Sequence, residues 1–216
     1  SIIRIRGGRP LHGSNYTIIP DQIETGTLMI AAAATGGDVI ITGAIPTHME
    51  ALSAKLLEMG VYIREEDDLI HVRSNGRLRA ISVKTQGYPG FPTDGQAILM
   101  AALAGGRGTT MFVENMFDSR YGHVDELRRM GAQIQVDGKV AVVQGVQQLT
   151  AAPVKAVDLR AGAAMIVAAL SARGLTEIED IHHIERGYEN VVEKLKVLGA
   201  DVRRVEHADS MLRQAL

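Results

Sequence analysis

The stretch FPTDGQAILMAALAGG, Phe91–Gly106, has an apolar residue or alanine at almost every position from Ala97 to Ala104 and closes on two glycines. A helix with no polar face belongs in the interior of a domain. TLMIAAAATGG (27–37) and AAMIVAALSARG (163–174) repeat the pattern. Three interior helices in one chain point to repeated units packed around them. A second set of segments confirms the period. LLEMGVYI (56–63), LRRMGAQI (127–134) and LKVLGADV (195–202) align on Gly60, Gly131 and Gly199. Eight, four and one residues before each glycine stand Leu52, Leu56 and Met59, then His123, Leu127 and Met130, then Val191, Leu195 and Leu198. That spacing is one face of an amphipathic helix, and each glycine is placed to stop it. His123 breaks the apolar rule and reads as a half-buried, hydrogen-bonded histidine.

Between the two kinds of helix lie β-branched runs, DVIITGA (38–44), GTTMFVEN (108–115) and LTEIEDI (175–181). After the first two amphipathic helices, VYIREEDDLIHVRS (61–74) and AQIQVDGKVAVVQG (132–145) alternate as hairpins, the second turning at Asp137-Gly138. SNYTIIPD (14–21), RAISVKTQ (79–86) and APVKAVD (152–158) read as leading strands. The unit is β-α-β-α-β-β, expected over residues 13–75, 79–147 and 152–206 of a single domain, 1–216. The third unit is one strand short after ADVRRVEH (200–207), and SIIRIRG (1–7) resembles a closing strand that has no unit of its own. Both ends suggest a piece of a longer repeat series. The fold class is α/β, with sheets and amphipathic helices outside three buried helices.

Composition narrows the function. A net charge of −2 argues against a non-specific nucleic-acid surface or a polybasic membrane patch. The absence of cysteine excludes disulfides, thiolate zinc sites and a cysteine nucleophile. The apolar runs are too short to span a bilayer, and the first ten residues lack a signal-peptide layout, so a cytoplasmic protein is expected. No phosphate-loop, dinucleotide-loop or nucleophile-elbow motif is present, and HHIERGYE (182–189) lacks metal-ligand spacing, so no cofactor and no metal are implied.

The chemistry gathers at the helix mouths. Aligned on their Ala-Ala pairs, the three interior helices place Glu24-Thr25, Thr93-Asp94 and Arg160-Ala161 at equivalent positions. Packing explains the near-identical bodies; the differing mouths need another reason. Thr93 and Gln96 fit a capping box, which leaves Asp94 free of the capping role, either to complement the helix dipole or to meet a ligand. Arg160 opposes the dipole of its own helix, with Asp158 as a local partner. Arg186, before Gly187, presents a guanidinium suited to a carboxylate or phosphate.

PDQIETGTLMIAAA (20–33), FPTDGQA (91–97), DLRAGAA (158–164) and HHIERGYENVVEKLKVLGA (182–200) closely resemble the C-terminal half of the UDP-N-acetylglucosamine 1-carboxyvinyltransferase family. The likeness runs to about Val205 and leaves out the tail from Glu206. These enolpyruvyl transferases take the first committed step of peptidoglycan synthesis. The resemblance implies an inverse α/β barrel of three β-α-β-α-β-β units, one of two such domains with the active site between them. It implies UDP-N-acetylglucosamine and phosphoenolpyruvate as substrates, bound together with an N-terminal domain that supplies the lid residue and most nucleotide contacts. Asp94 matches the carboxylate that contacts the sugar 3-hydroxyl and acts as base, and Arg160 and Arg186 match the arginines that meet phosphoenolpyruvate. Met116, in ENMFDSR (114–120), matches a sugar-nucleotide contact usually filled by valine or isoleucine. Thr93 and Phe117 are expected beside them as substrate-binding positions, and Asp94 and Arg186 as the catalytic pair. A chain of this content should fold alone without catalysing. The alternatives are a shikimate enolpyruvyl transferase of the same fold and a non-catalytic binding module.

Overall fold

The computed structural model describes residues 2–206. Three interior helices form its centre: α1 (Gln22–Thr35), α3 (Thr93–Ala104) and α5 (Leu159–Ser171). Every residue of α3 from Gly95 to Ala104 is buried, and α3 packs against both α1 and α5. Alanines dominate the facing sides, so the backbones approach closely. Ile98, Leu99, Met100 and Leu103, each at most 2% exposed, fill the remaining space. Each contributes about 1.5–3 kcal/mol by leaving water.

Three sheets surround this centre. The first holds β1 (Asp38–Thr42), β2 (Tyr62–Glu66) and β3 (Leu69–Arg73) in the order β1-β3-β2, all antiparallel. The second is fuller. It holds β4 (Ser82–Lys84), β5 (Thr109–Val113), β6 (Gln133–Asp137) and β7 (Val140–Gln144) in the order β4-β5-β7-β6, with β4 parallel to β5. Phe112 faces the core opposite Ala141 and Thr110 opposite Val143, as the alternation of the sequence requires. The third sheet is the parallel pair β8 (Val154–Lys155) and β9 (Ile178–Glu179). The outer helices are α2 (Pro46–Glu58), α4 (Val124–Arg129), the single turn α6 (His182–Glu185) and α7 (Val191–Val197). Gly60, Gly131 and Gly199, just past α2, α4 and α7, all adopt the left-handed conformation, with φ of 91°, 87° and 92°. A side chain there would be strained, which is why the same residue recurs at all three stops.

Several expected strands do not form. SIIRIRG was expected as a closing strand and SNYTIIPD as a leading one. Residues 2–20 instead have no regular structure and are exposed throughout. Residues 201–206, expected to continue the third unit, are likewise irregular, and His207 lies outside the described residues. A strand exists only with a partner for its ladder. Among the described residues no backbone hydrogen bond joins residues 2–20 to another element, so their alternation has nothing to hold it.

Candidate active site

The mouths of α3 and α5 lie side by side, and charges of opposite sign meet there. Asp94 is the second residue of α3. Its Oδ1 accepts a hydrogen bond from Arg120 Nη2 at 2.7 Å, and its Oδ2 accepts from Arg160 Nη2 at 2.9 Å. Arg120 reaches in from the loop after β5, and Arg160 from the first turn of α5. Both lie on elements remote from Asp94 in the chain. The Asp94 side chain is 33% exposed and the arginines 26% and 19%, so the cluster sits at the rim with one face open. Partial burial would raise the Asp94 carboxyl, but hydrogen bonds from Arg120 and Arg160, reinforced by their charges, outweigh it and hold it below its ordinary value. Asp94 is therefore an anion at neutral pH.

The local capping expected from the sequence is different here. Thr93 is the first residue of α3, and Pro92 occupies the cap position with no side-chain bond. Thr93 does not cap: its hydroxyl donates to Glu114 Oε2 at 2.9 Å and accepts from Arg120 Nη1 at 2.9 Å. Gln96 does not reach back either. Its side chain is fully buried, and neither of its polar atoms has a hydrogen-bond partner among the described residues. The helix begins at Thr93 itself, one residue earlier than the capping-box spacing suggests, and the Thr93 hydroxyl is taken up by Glu114 and Arg120. Asp158 behaves as a cap, not as a charge partner: its carboxylate accepts from the backbone N–H groups of Arg160 and Ala161, both at 2.8 Å. That leaves the Arg160 guanidinium for Asp94.

Met116 and Phe117 follow β5 and are half exposed. With Thr93, Asp94 and Arg120 they line a cavity of about 470 Å³ that extends between α1, α2 and the loop at Tyr88. Arg120 also lies over the Phe117 ring, 4.6 Å from its centroid. Sequence reasoning passed over Arg120. It ends the same ENMFDSR segment that supplies Met116, but a loop residue carries no periodic signal.

Arg186 stands apart from this cluster. It caps the single turn of α6, is exposed, and makes no ion pair among the described residues. Two residues on, Tyr188 is buried, and its hydroxyl meets Thr27 of α1 at 2.8 Å, tying the Arg186 segment to the interior helices. Among the equivalent mouths, Glu24 on α1 is committed to an ion pair with Lys194 of α7. His123 is 3% exposed, not half-buried, with Nε2 3.3 Å from the Met100 sulfur; burial pushes its pKa down to about 4.

The carboxylate and Arg160 thus come from adjoining helix mouths, and Arg120 from the loop after β5. Residues 1–195 match the family of EPSP synthase (3-phosphoshikimate 1-carboxyvinyltransferase). The chain belongs to this family. Within the family, it is 52% identical over 203 residues to UDP-N-acetylglucosamine 1-carboxyvinyltransferase 3 of Caldanaerobacter subterraneus subsp. tengcongensis, a match covering 94% of this chain and 49% of that protein. It is 51% identical over 207 residues to the UDP-N-acetylglucosamine 1-carboxyvinyltransferase of Desulfofundulus thermocisternus, covering 95% of this chain and 85% of that one. Among solved structures, the enolpyruvyl transferase NikO from Streptomyces tendae superposes with a TM-score of 0.79 at 30% identity over 87% of this chain and 45% of NikO. The chain spans about half the length of several of the curated relatives it matches. No helix among the described residues is long and apolar enough to cross a membrane.

Proposed function

We propose that this chain forms one wall of the active site of an enolpyruvyl transferase that moves the enolpyruvyl group of phosphoenolpyruvate to the 3-hydroxyl of UDP-N-acetylglucosamine. The observation that carries this reading is Asp94, ionised and open on one side, between two arginines drawn from distant parts of the chain. The transfer needs a base for a sugar hydroxyl and cations for an anionic co-substrate, and this rim supplies both. The hydroxyl oxygen bonds to the central carbon of phosphoenolpyruvate as its proton passes to Asp94, and the methylene carbon becomes a methyl group by taking a proton from a general acid on the opposite wall of the cleft. From the resulting tetrahedral intermediate the phosphate departs, the methyl group returns a proton to the base that the general acid has become, and the enol ether remains. Thr93, Met116 and Phe117 bound the cavity beside Asp94 and bind the sugar nucleotide. Arg160 and Arg186 bind phosphoenolpyruvate.

The Asp94–Arg160 pair gives the base its timing. An anion that draws the guanidinium toward itself leaves Asp94 with one cationic partner, and its proton affinity rises as the hydroxyl must be deprotonated. Relatives above 50% identity are named for the sugar-nucleotide reaction, which favours UDP-N-acetylglucosamine over a shikimate acceptor. The test is phosphate release by a full-length enzyme carrying this chain, with phosphoenolpyruvate and either UDP-N-acetylglucosamine or shikimate 3-phosphate. Release with the sugar nucleotide alone is expected. Release with shikimate 3-phosphate alone, or with neither, overturns the reading.

A further inference from the structure

Glu114 follows the last residue of β5 and is completely buried. Its own N–H donates to the Lys139 carbonyl at 2.8 Å, which fixes its backbone to the end of the sheet. A carboxylate without water is costly unless its oxygens are met by donors. Glu114 has four. Oε1 accepts from the Thr85 hydroxyl at 2.8 Å, from Met116 N–H at 2.8 Å and from Phe117 N–H at 3.3 Å. Oε2 accepts from the Thr93 hydroxyl at 2.9 Å.

Each of the two hydroxyls has a donor on its other side. Thr85 Oγ1 already accepts from Asn115 N–H at 2.9 Å, and Thr93 Oγ1 already accepts from Arg120 Nη1 at 2.9 Å. Glu114 is the acceptor that each hydroxyl proton reaches among the described residues. Two chains of hydrogen bonds run toward this side chain, one from Arg120 through Thr93 and one from Asn115 through Thr85. A carboxylate, acceptor on both oxygens, meets all four donors, whereas an amide of the same shape turns an N–H toward the donors on one side.

We propose that Glu114 is a positioning residue for the transfer reaction. It holds the 115–120 loop against the mouth of α3, so that Met116 and Phe117 face the cavity and Arg120 reaches Asp94. This rests on the function proposed above, since it assigns the loop to the sugar nucleotide. Neither sugar nor phosphoenolpyruvate touches Glu114; its effect passes through the backbone N–H groups of Met116 and Phe117 and through the Thr93–Arg120 link.

The test uses Glu114→Gln in a full-length enzyme carrying this chain. The amide keeps the volume but turns an N–H toward donors on one side, so the loop shifts. A displacement near 1 Å costs roughly a hundredfold in rate, so kcat/KM for UDP-N-acetylglucosamine is expected to fall between about tenfold and a hundredfold. The KM for phosphoenolpyruvate, whose partners Arg160 and Arg186 lie outside the loop, stays near that of the unaltered enzyme. A purely structural role would lower the unfolding midpoint and leave no such split between substrates. If Glu114→Gln does not fold, Thr85→Val decides the matter. It removes one donor and orphans Asn115 N–H, and it should shift the sugar-nucleotide KM the same way, less strongly, with Thr85→Ser restoring it. A folded Glu114→Gln, or a Thr85→Val, with both KM values and kcat unchanged, or with both substrates affected alike, overturns the proposal. Absence of turnover in the unaltered enzyme instead overturns the function on which it rests.

Discussion

Asp94→Asn in a full-length enzyme carrying this chain tests whether the carboxylate serves the helix or the reaction. As a simple complement to the dipole of α3, its charge would contribute about 0.3–1 kcal/mol of stability and nothing to turnover. The structure predicts a larger effect of a different kind. Asparagine retains one acceptor oxygen and turns an N–H toward the second guanidinium, so either Arg120 or Arg160 loses its partner. A hydrogen bond to a charged group contributes about 1.5–3 kcal/mol. With a third of the Asp94 side chain exposed, screening reduces the expected loss to about 1–2 kcal/mol. The chemical effect is the greater, because removing a positioned general base lowers turnover by about 10²–10⁴-fold. Urea unfolding measures the first quantity, and phosphate release at saturating substrates measures the second. A stable, folded variant with kcat reduced at least about a hundredfold is the expected result. Turnover within about tenfold of the unaltered enzyme refutes the base assignment. Unaltered stability refutes the ion-pair account of the rim.

Arg186→Ala should raise the KM for phosphoenolpyruvate while leaving the urea midpoint in place, because an exposed side chain without an ion pair among the described residues contributes little packing. Tyr188→Phe removes the hydroxyl that meets Thr27, whose own proton still has the Ile23 carbonyl at 2.7 Å, and should cost about 1 kcal/mol by chemical denaturation. Gly162→Ala would place a methyl carbon 2.4 Å from Ile184 Cγ1, so a destabilisation of at least about 1–3 kcal/mol is expected, with α6 and Arg186 displaced. Stability should also fall in acid through His123. Its folded pKa, near 4, lies below the ordinary 6.5, so the unfolded chain binds the proton first and stability is lost as pH drops from about 6.5 to 4, by about 3 kcal/mol in full. His123→Leu should flatten the urea-midpoint profile over that window. Asp94 adds a separate acid loss at lower pH: its folded pKa is depressed, so its contribution is present above the ordinary carboxylate range and disappears as pH falls through the folded value. Residues 1–216 alone should show no phosphate release with both substrates, since the Asp94 rim is open on one side; turnover by that polypeptide would refute the need for a second wall.

The sequence by itself determined the elements that depend on local periodicity. The interior helices, the glycine stops at Gly60, Gly131 and Gly199 and the two hairpins follow from side-chain polarity and backbone propensity within a dozen residues, and no neighbour could override them. It also marked Arg160 as unfavourable for its helix mouth and left Asp94 between a dipole and a ligand role. Tertiary structure alone decided what those residues do. Asp94 and Arg160 are 66 positions apart, and only the packing of α3 against α5 brings their mouths within hydrogen-bonding distance. Tertiary contacts took up the Thr93 hydroxyl that a capping box with Gln96 would use. They also made Glu114, to all appearance a strand-end polar residue, the acceptor for donors up to 29 positions away. Residues 2–20 show the converse. Their alternation is as strand-like as that of β3 or β7, yet they stay irregular, because a strand is a pairing between segments and no single segment encodes its partner.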